Sequence, residues 1–377
     1  MTLDIIPVTD KATLRRFIRV PFLVHKDDAN WVPPLISERE EAFSPSKNEL
    51  VRRSEVRFWI ARRDGRDIGR ISAQIDPLAQ KEGSPKYGQF GCLSAIDDPE
   101  VFAALFKTAE DFLRSRGIET VQGPFTLSIN EETGLLIDGF DTPPMMMMGH
   151  DPAYEAAHVE AAGYRREGDV FAYLLDMDKP LSKSARNMLE RPLPGAVKMR
   201  QLNLKDYDNE IGRVVSIFND AWSENDGFVP MTQAETDELA TRIKLLLDER
   251  LVWFAELNGE PVAFIVCLPN INEAIRDLNG KMFPFGVLKL LWRLKVRGLR
   301  SARVPLMGVR KSVGGTVLGS ALPLQLIGAI WPGVKALGYR WVELSWILEA
   351  NRPMRSILER LGANSYKTYR IYEKTLG

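Results

Sequence analysis

A chain of 377 residues, 45% of them hydrophobic, is long enough for two domains of about 150–200 residues, each burying its own core. Its 50 Lys and Arg balance 50 Asp and Glu, so no nucleic-acid surface is expected. Two cysteines and three histidines (His25, His150, His158), without ligand-like spacing, supply neither a disulfide framework nor a metal site, and the N-terminus lacks the pattern of a secretion signal, so a cytoplasmic location is expected.

Along the chain, Trp59–Gly69 reads as two alternating strands joined by Asp64-Gly65, a left-handed hairpin turn. The run Gly91–Glu100 ends in Asp97-Asp98-Pro99-Glu100, which starts a helix with acidic caps and Pro in its first turn. Carboxylates there occupy the place a phosphate would take, so no cofactor is expected in this half. Between Gly123 and Gly149 lies a polar run rich in Gly and Pro, expected to fold over a groove between the halves and shape an acceptor site. Within it Met145–Met148 reads as a buried strand. The pattern divides the chain into an N-terminal domain over 1–178, a linker over 179–198 and a C-terminal domain over 199–377.

In the second half, Asn219, Trp222, Asn225, Asp226 and Phe228 form a polar-aromatic cluster, although Asn225-Asp226-Gly227 is also an ordinary turn sequence. Trp253–Ala263 repeats the hairpin pattern with Asn258-Gly259. Lys289–Arg303 interleaves basic residues with Leu and Trp292, the pattern of a solvated amphipathic helix or of one drawn to membranes or phosphates. Met307–Leu322 then passes from an apolar strand through Gly314-Gly315 into a helix, a design that can hold a pyrophosphate on backbone N–H groups and a helix N-terminus. Ser312–Val334 carries no charge and has membrane-span length, but its Gln325, Pro323, Pro332 and glycines point to a buried helix kinked near Pro332-Gly333, and no span is expected. A strand over Trp341–Trp346, a helix opened by Asn351, and a last strand with Tyr366, Tyr369, Arg370 and Tyr372 complete the chain.

The halves repeat one another. Trp59–Gly69 aligns without gaps on Trp253–Ala263, Gly117 answers Gly338, and Gly163 answers Gly362. Element order is kept while loop lengths differ, as for two copies of one domain.

The order strand, glycine loop, helix, strand, Asn-led helix resembles the C-terminal half of the GCN5-related N-acetyltransferase superfamily, with Val309, Gly314, Gly315, Val317, Gly319 and Leu322 on its loop motif. The resemblance implies an α/β (α+β) chain of two tandem acetyltransferase-like domains, each a mixed, mostly antiparallel sheet flanked by helices. It implies that the C-terminal copy binds acetyl-CoA or another acyl-CoA through Met307, Gly308, Val309, Gly314, Gly315, Thr316, Val317, Gly319 and Asn351, with an oxyanion donor among the Met307–Val309 amides and Lys311 and Arg310 nearest the 3′-phosphate. The family's loop Arg or Gln is Gly314 here, its second loop glycine is Val317, and its thiol-protonating Tyr is Leu358. A tyrosine of the last strand, Tyr369, is the expected replacement. Glu343 is the expected base or else the partner of an Arg, with Asn219, Trp222, Asn225, Phe228, Trp346 and Glu349 lining the acceptor. The expected activity is transfer of an acyl group to a primary amine of a small molecule or peptide; the alternative is a binding or regulatory protein that keeps the fold without the chemistry.

Overall fold

The computed structural model describes residues 2–193, 196–224 and 228–377, in two compact units. Unit 1 comprises residues 1–170, 275–289 and 367–377; unit 2 comprises 171–274 and 290–366.

Unit 1 carries strands β1 (Leu3–Pro7), β2 (Glu55–Arg63), β3 (Arg66–Ile75), β4 (Tyr87–Ala95), β5 (Thr120–Gly123) and β6 (Leu135–Asp138), with helices α1 (Lys11–Val24) and α2 (Pro99–Ser115). Strands β1 to β4 pair antiparallel in chain order, and β4 pairs parallel with β5. The β2–β3 turn holds Asp64 and Gly65 at φ 50° and 79°, the left-handed pair that Asp-Gly accepts readily. Asp98 caps α2 by accepting from the Glu100 amide, with Pro99 at the first helical position. From this start Val101, Phe102, Leu105, Phe106, Ala109 and Leu113 recur at helical spacing and bury against Ile71, Ala73 and Phe90 of the sheet.

Strand β7 (Arg165–Asp176) leads into unit 2, whose sheet contains β8 (Val197–Gln201), β9 (Val252–Leu257), β10 (Glu260–Pro269), β11 (Ser301–Val309) and β12 (Trp341–Leu348). All neighbours from β8 to β11 are antiparallel, and β11 runs parallel to β12. Its helices include α3 (Tyr207–Trp222), the later part of α4 (Gly286–Trp292), α5 (Val317–Ala336) and α6 (Arg352–Arg360). Asn258 and Gly259, at φ 53° and 87°, make the second hairpin turn as the sequence predicts. Among the described residues α5 is the one helix long and apolar enough to cross a membrane, yet Leu322, Leu326, Ile327, Ile330 and Val334 lie in the core of unit 2 against Ala263, Ile265, Val304 and Leu344. Each such fully buried aliphatic side chain is worth about 1.5–3 kcal/mol. The last strand, β13 (Asn364–Thr375), belongs to unit 1 from Lys367 onward, pairing antiparallel with β5 and β6.

Each unit is therefore a mixed, mostly antiparallel sheet with flanking helices. Two local expectations fail. Met145–Met148 is a turn, with Met147 at φ 60°, and three of its four side chains are buried without any strand pairing. The expected open glycine loop before α5 is instead helical at its start. Residues Lys311–Gly314 make a short helical turn and Gly315 ends it at φ −79°, because Val313 and Gly314 can donate back to Arg310 O.

Candidate active site

In unit 2, β11 and β12 pair in register from Ser301↔Trp341 to Val304↔Leu344, and both strands then continue, to Val309 and Leu348, beyond that last pair. The residue after the last pair is Pro305, which has no N–H for either neighbour and sits at an irregularity in the β10–β11 ladder between Val266 and Leu268. The result is a fork between two parallel strands, a place where main-chain groups of Leu306–Val309 line an edge.

At the base of the fork Arg303 and Glu343, paired across the strands, are both fully buried and form an ion pair of 3.2 Å. Arg303 Nε also donates to Ser345 Oγ at 2.7 Å, and its guanidinium lies 4.2 Å from the centre of the Trp346 ring. Tyr366 donates its hydroxyl to Glu343 Oε2. Glu343, expected as either a base or an Arg partner, is paired with Arg303 and accepts from a tyrosine. Trp346 has φ 58°, a left-handed backbone that costs a bulky residue about 1–3 kcal/mol, and its buried indole N–H has no partner in the described structure.

On one side of the fork, helix α3 brings Trp222, whose Nε1 donates to Met307 O at 3.4 Å. A residue's C=O and N–H leave a strand on the same edge, so the Met307 amide shares that edge. Phe218 packs edge-on with Phe228 and tilted against Trp222, at 5.6 and 5.5 Å. Asn219 turns away from the fork, and its amide donates to Met231 O and accepts from Met231 N, both at 2.9 Å, clamping the chain ahead of Thr232. Asn225 lies outside the described residues.

Beyond the fork, a Cβ on Gly308 would lie 3.0 Å from the Phe264 ring, and Val309 leads to the turn before α5. Arg310 is held by Pro261 O and Ser216 Oγ, and Lys311 gives its amide to Asp220 and its ammonium to Glu224. Thr316 caps α5 by accepting from Gly319 N at 3.0 Å. Val317, 89% exposed, and Leu318 open the helix with first-turn amides that have no intrahelical acceptor. The three glycines differ in kind. A Cβ on Gly319 would lie 2.0 Å from Val313 O, so packing demands that glycine, whereas a Cβ on Gly314 or Gly315 would meet nothing within 4 Å.

The remaining predicted residues disperse. Asn351 is exposed and caps α6 through Met354 N, Glu349 is exposed in the preceding turn, and Leu358 is fully buried in the core. Tyr369 is fully buried in unit 1 and donates to Gly149 O at 3.2 Å. Unit 1 also gathers side chains that spacing does not connect: His150 Nε2 lies 2.8 Å from Asp28, His25 stacks on Trp31 at 4.9 Å, and burial pushes His25 down to about 4. No group of three or more His, Cys, Asp or Glu is placed to hold a metal among the described residues. A pocket of about 600 Å³ in unit 2, lined by Met199, Arg250, Trp253, Ala329 and Pro332 among others, contains none of the fork residues.

Compared with known proteins, the chain matches no family model. Its architecture aligns over 100% of its length with 99% of a tandem GNAT protein from the clavulanic acid biosynthesis pathway, at TM-score 0.59 and 14% identity. The fold is thus that of the tandem GCN5-related N-acetyltransferases. At the sequence level it is 49% identical over 375 residues to the bacterial ceramide synthase of Caulobacter vibrioides, covering 99% of this chain and 98% of that one, and 44% identical over 368 residues to Protein YghO of Escherichia coli, covering 97% and 94%. The chain belongs to the family of that ceramide synthase.

Proposed function

We propose that the chain is an acyl-CoA-dependent N-acyltransferase, and that its acceptor is the amine of a long-chain amino alcohol, giving a ceramide-type amide. The observation that carries the reaction class is the fork behind Pro305 together with a turn whose two exposed glycines no packing in the fold requires. Gly314 and Gly315 leave bare backbone beside the open N-terminus of α5, which suits a pyrophosphate. The acceptor is supported by the kinship with a protein named for ceramide synthesis, whose product is by definition the amide of such an amine.

When bound, the coenzyme supplies an activated acyl thioester and a thiolate leaving group. The Met307 edge of β11 offers an N–H to the developing oxyanion. The incoming ammonium must lose one proton before attack and a second as the amide forms, the second returning to the departing thiolate. Tyr366, half-buried and hydrogen-bonded to Glu343, provides a hydroxyl that can accept from the amine while its own proton faces the carboxylate; Arg303 fixes that carboxylate in place. Trp346 and Trp222 supply apolar walls with indole N–H groups at the fork.

Incubating the protein with a long-chain acyl-CoA and a long-chain amino alcohol, with thiol release and amide mass as readouts, tests this reading. Amide formation that Gly315→Glu abolishes supports it. Acyl-CoA binding by calorimetry with no amide from any amine would instead establish a binding protein that kept the fold.

A further inference from the structure

The segment 281–300 reads Lys-Met-Phe-Pro-Phe-Gly-Val-Leu-Lys-Leu-Leu-Trp-Arg-Leu-Lys-Val-Arg-Gly-Leu-Arg, with six basic residues and no acidic one. Its helical part, α4 and the π-helical turn Arg293–Arg297, carries apolar side chains on its outer as well as its inner face, interleaved with Lys289, Arg293, Lys295 and Arg297, and apolar residues on both faces of a helix in a globular chain ordinarily mean burial. Here one face goes inward, with Gly286 buried and Val287, Leu290 and Leu294 half-buried, but the outer face is just as apolar. Phe283, Phe285, Leu288, Leu291, Trp292 and Val296 are 82, 66, 65, 44, 53 and 71% exposed. Among the described residues these are six of the eleven exposed large apolar side chains, all within fourteen positions, so they form a patch rather than the usual scatter.

Basic residues flank that patch. Lys281, Lys295, Arg297 and Arg300 are exposed, Lys289 lies 3.6 Å from Asp277, and Arg293 donates to Ala274 O. A water-exposed apolar stripe carrying Trp and Phe, bordered mostly by cations, with Asp277 the acidic neighbour of Lys289, is complementary to one environment in particular: the headgroup boundary of an anionic bilayer, where apolar rings enter the acyl region and Lys and Arg meet lipid phosphates.

We infer that Lys281–Arg300 is an interfacial anchor that docks the protein on anionic membranes. It lies in the bilayer plane without spanning it, and it stands independently of the proposed reaction.

The test uses the full-length protein and vesicles of phosphatidylcholine with or without phosphatidylglycerol. Cosedimentation is expected with the anionic vesicles, weaker with neutral ones and weakened by salt. Phe285→Ser/Leu288→Ser/Trp292→Ser, at exposed positions and with an unchanged melting midpoint, is expected to lower partitioning about tenfold or more. A second variant, Lys295→Glu/Arg297→Glu, is expected to lose about fivefold per basic residue on anionic vesicles only. Because Cys92 and Cys267 are buried, a dye placed on Leu288→Cys labels one site and should blue-shift on docking. No binding to anionic vesicles, or equal binding by wild type and both variants, overturns the proposal. So does a lipid-free dimer that the serine variant converts to monomer while vesicle binding stays absent in both, which would assign the patch to a second copy of the chain.

Discussion

The two parallel strand pairs of this protein, β4–β5 in unit 1 and β11–β12 in unit 2, begin alike and end differently. In unit 1 register runs from Tyr87↔Thr120 to Gln89↔Gln122, and the chain after β5 stays closed on β4: Phe125 N donates to Phe90 O at 2.9 Å, and Gln74 donates to Phe125 O. Contact is so close that a Cβ on Gly91 would fall 1.6 Å from Phe125 O. In unit 2, Pro305 interrupts the ladder and the strands continue past their last pair. The start of the next helix differs in parallel: Asp98 and Glu100 bind Arg63 ahead of α2, while neutral Thr316 caps α5. One copy of the fold is zipped and acidic where the other is forked and capped by a neutral residue, so the same scaffold closes its parallel strand pair in one place and opens it in the other.

The largest expected effect breaks the open copy. Glu343→Gln leaves Arg303 buried without its charge partner and should cost about 3–5 kcal/mol in urea unfolding; a loss below about 1 kcal/mol would mean that water reaches the pair. Next, Gly91→Ala in the closed copy forces a methyl into the Phe125 carbonyl and should cost about 2–4 kcal/mol, whereas Gly315→Ala, with open space and ordinary φ, should change stability by less than about 0.5 kcal/mol. Equal effects would erase the contrast between the two forks.

Tyr366→Phe should lower kcat about 10²-fold with acyl-CoA affinity unchanged, while Tyr369→Phe, a core hydroxyl in unit 1, should lower the melting midpoint and spare kcat. The reverse pattern would return the acid–base role to Tyr369. The smallest effect is a pH dependence confined to unit 1. Burial pushes Asp151 up to about 7 from an ordinary value of 3.8. As pH rises through that window the unfolded chain releases a proton that the folded chain keeps, so stability from this group falls between about 4 and 7 and is level above. Asp151→Asn should therefore gain stability relative to wild type as pH rises across that range, measured in paired urea melts. His25, held near 4 by burial, acts with the opposite sign, and the variant-minus-wild-type difference removes it.

Much of this was legible in the chain. Asp64-Gly65 and Asn258-Gly259 announce their turns, and Asp98-Pro99 and Asn351 their helix starts, whereas Gly314-Gly315 announces a loop where the chain makes a short helical turn. Pro305 is a further signal in the chain, since a proline inside an apolar run marks an interrupted ladder. The site was less legible. Alternation separates Tyr366 from Tyr369 but does not say which face meets Glu343, and nothing near Gly123 in sequence announces that Phe125 closes the first fork.

What the sequence determined by itself are features settled within a few residues, because caps, left-handed turns and amphipathic periods depend on backbone sterics and hydrogen bonds over one or two turns. The tertiary structure alone decided which buried charges pair, which tyrosine reaches a carboxylate and which strand pair opens. Those outcomes depend on groups dozens of positions apart, brought together in a dry interior where an unpartnered charge or a carbonyl in the way outweighs any local preference.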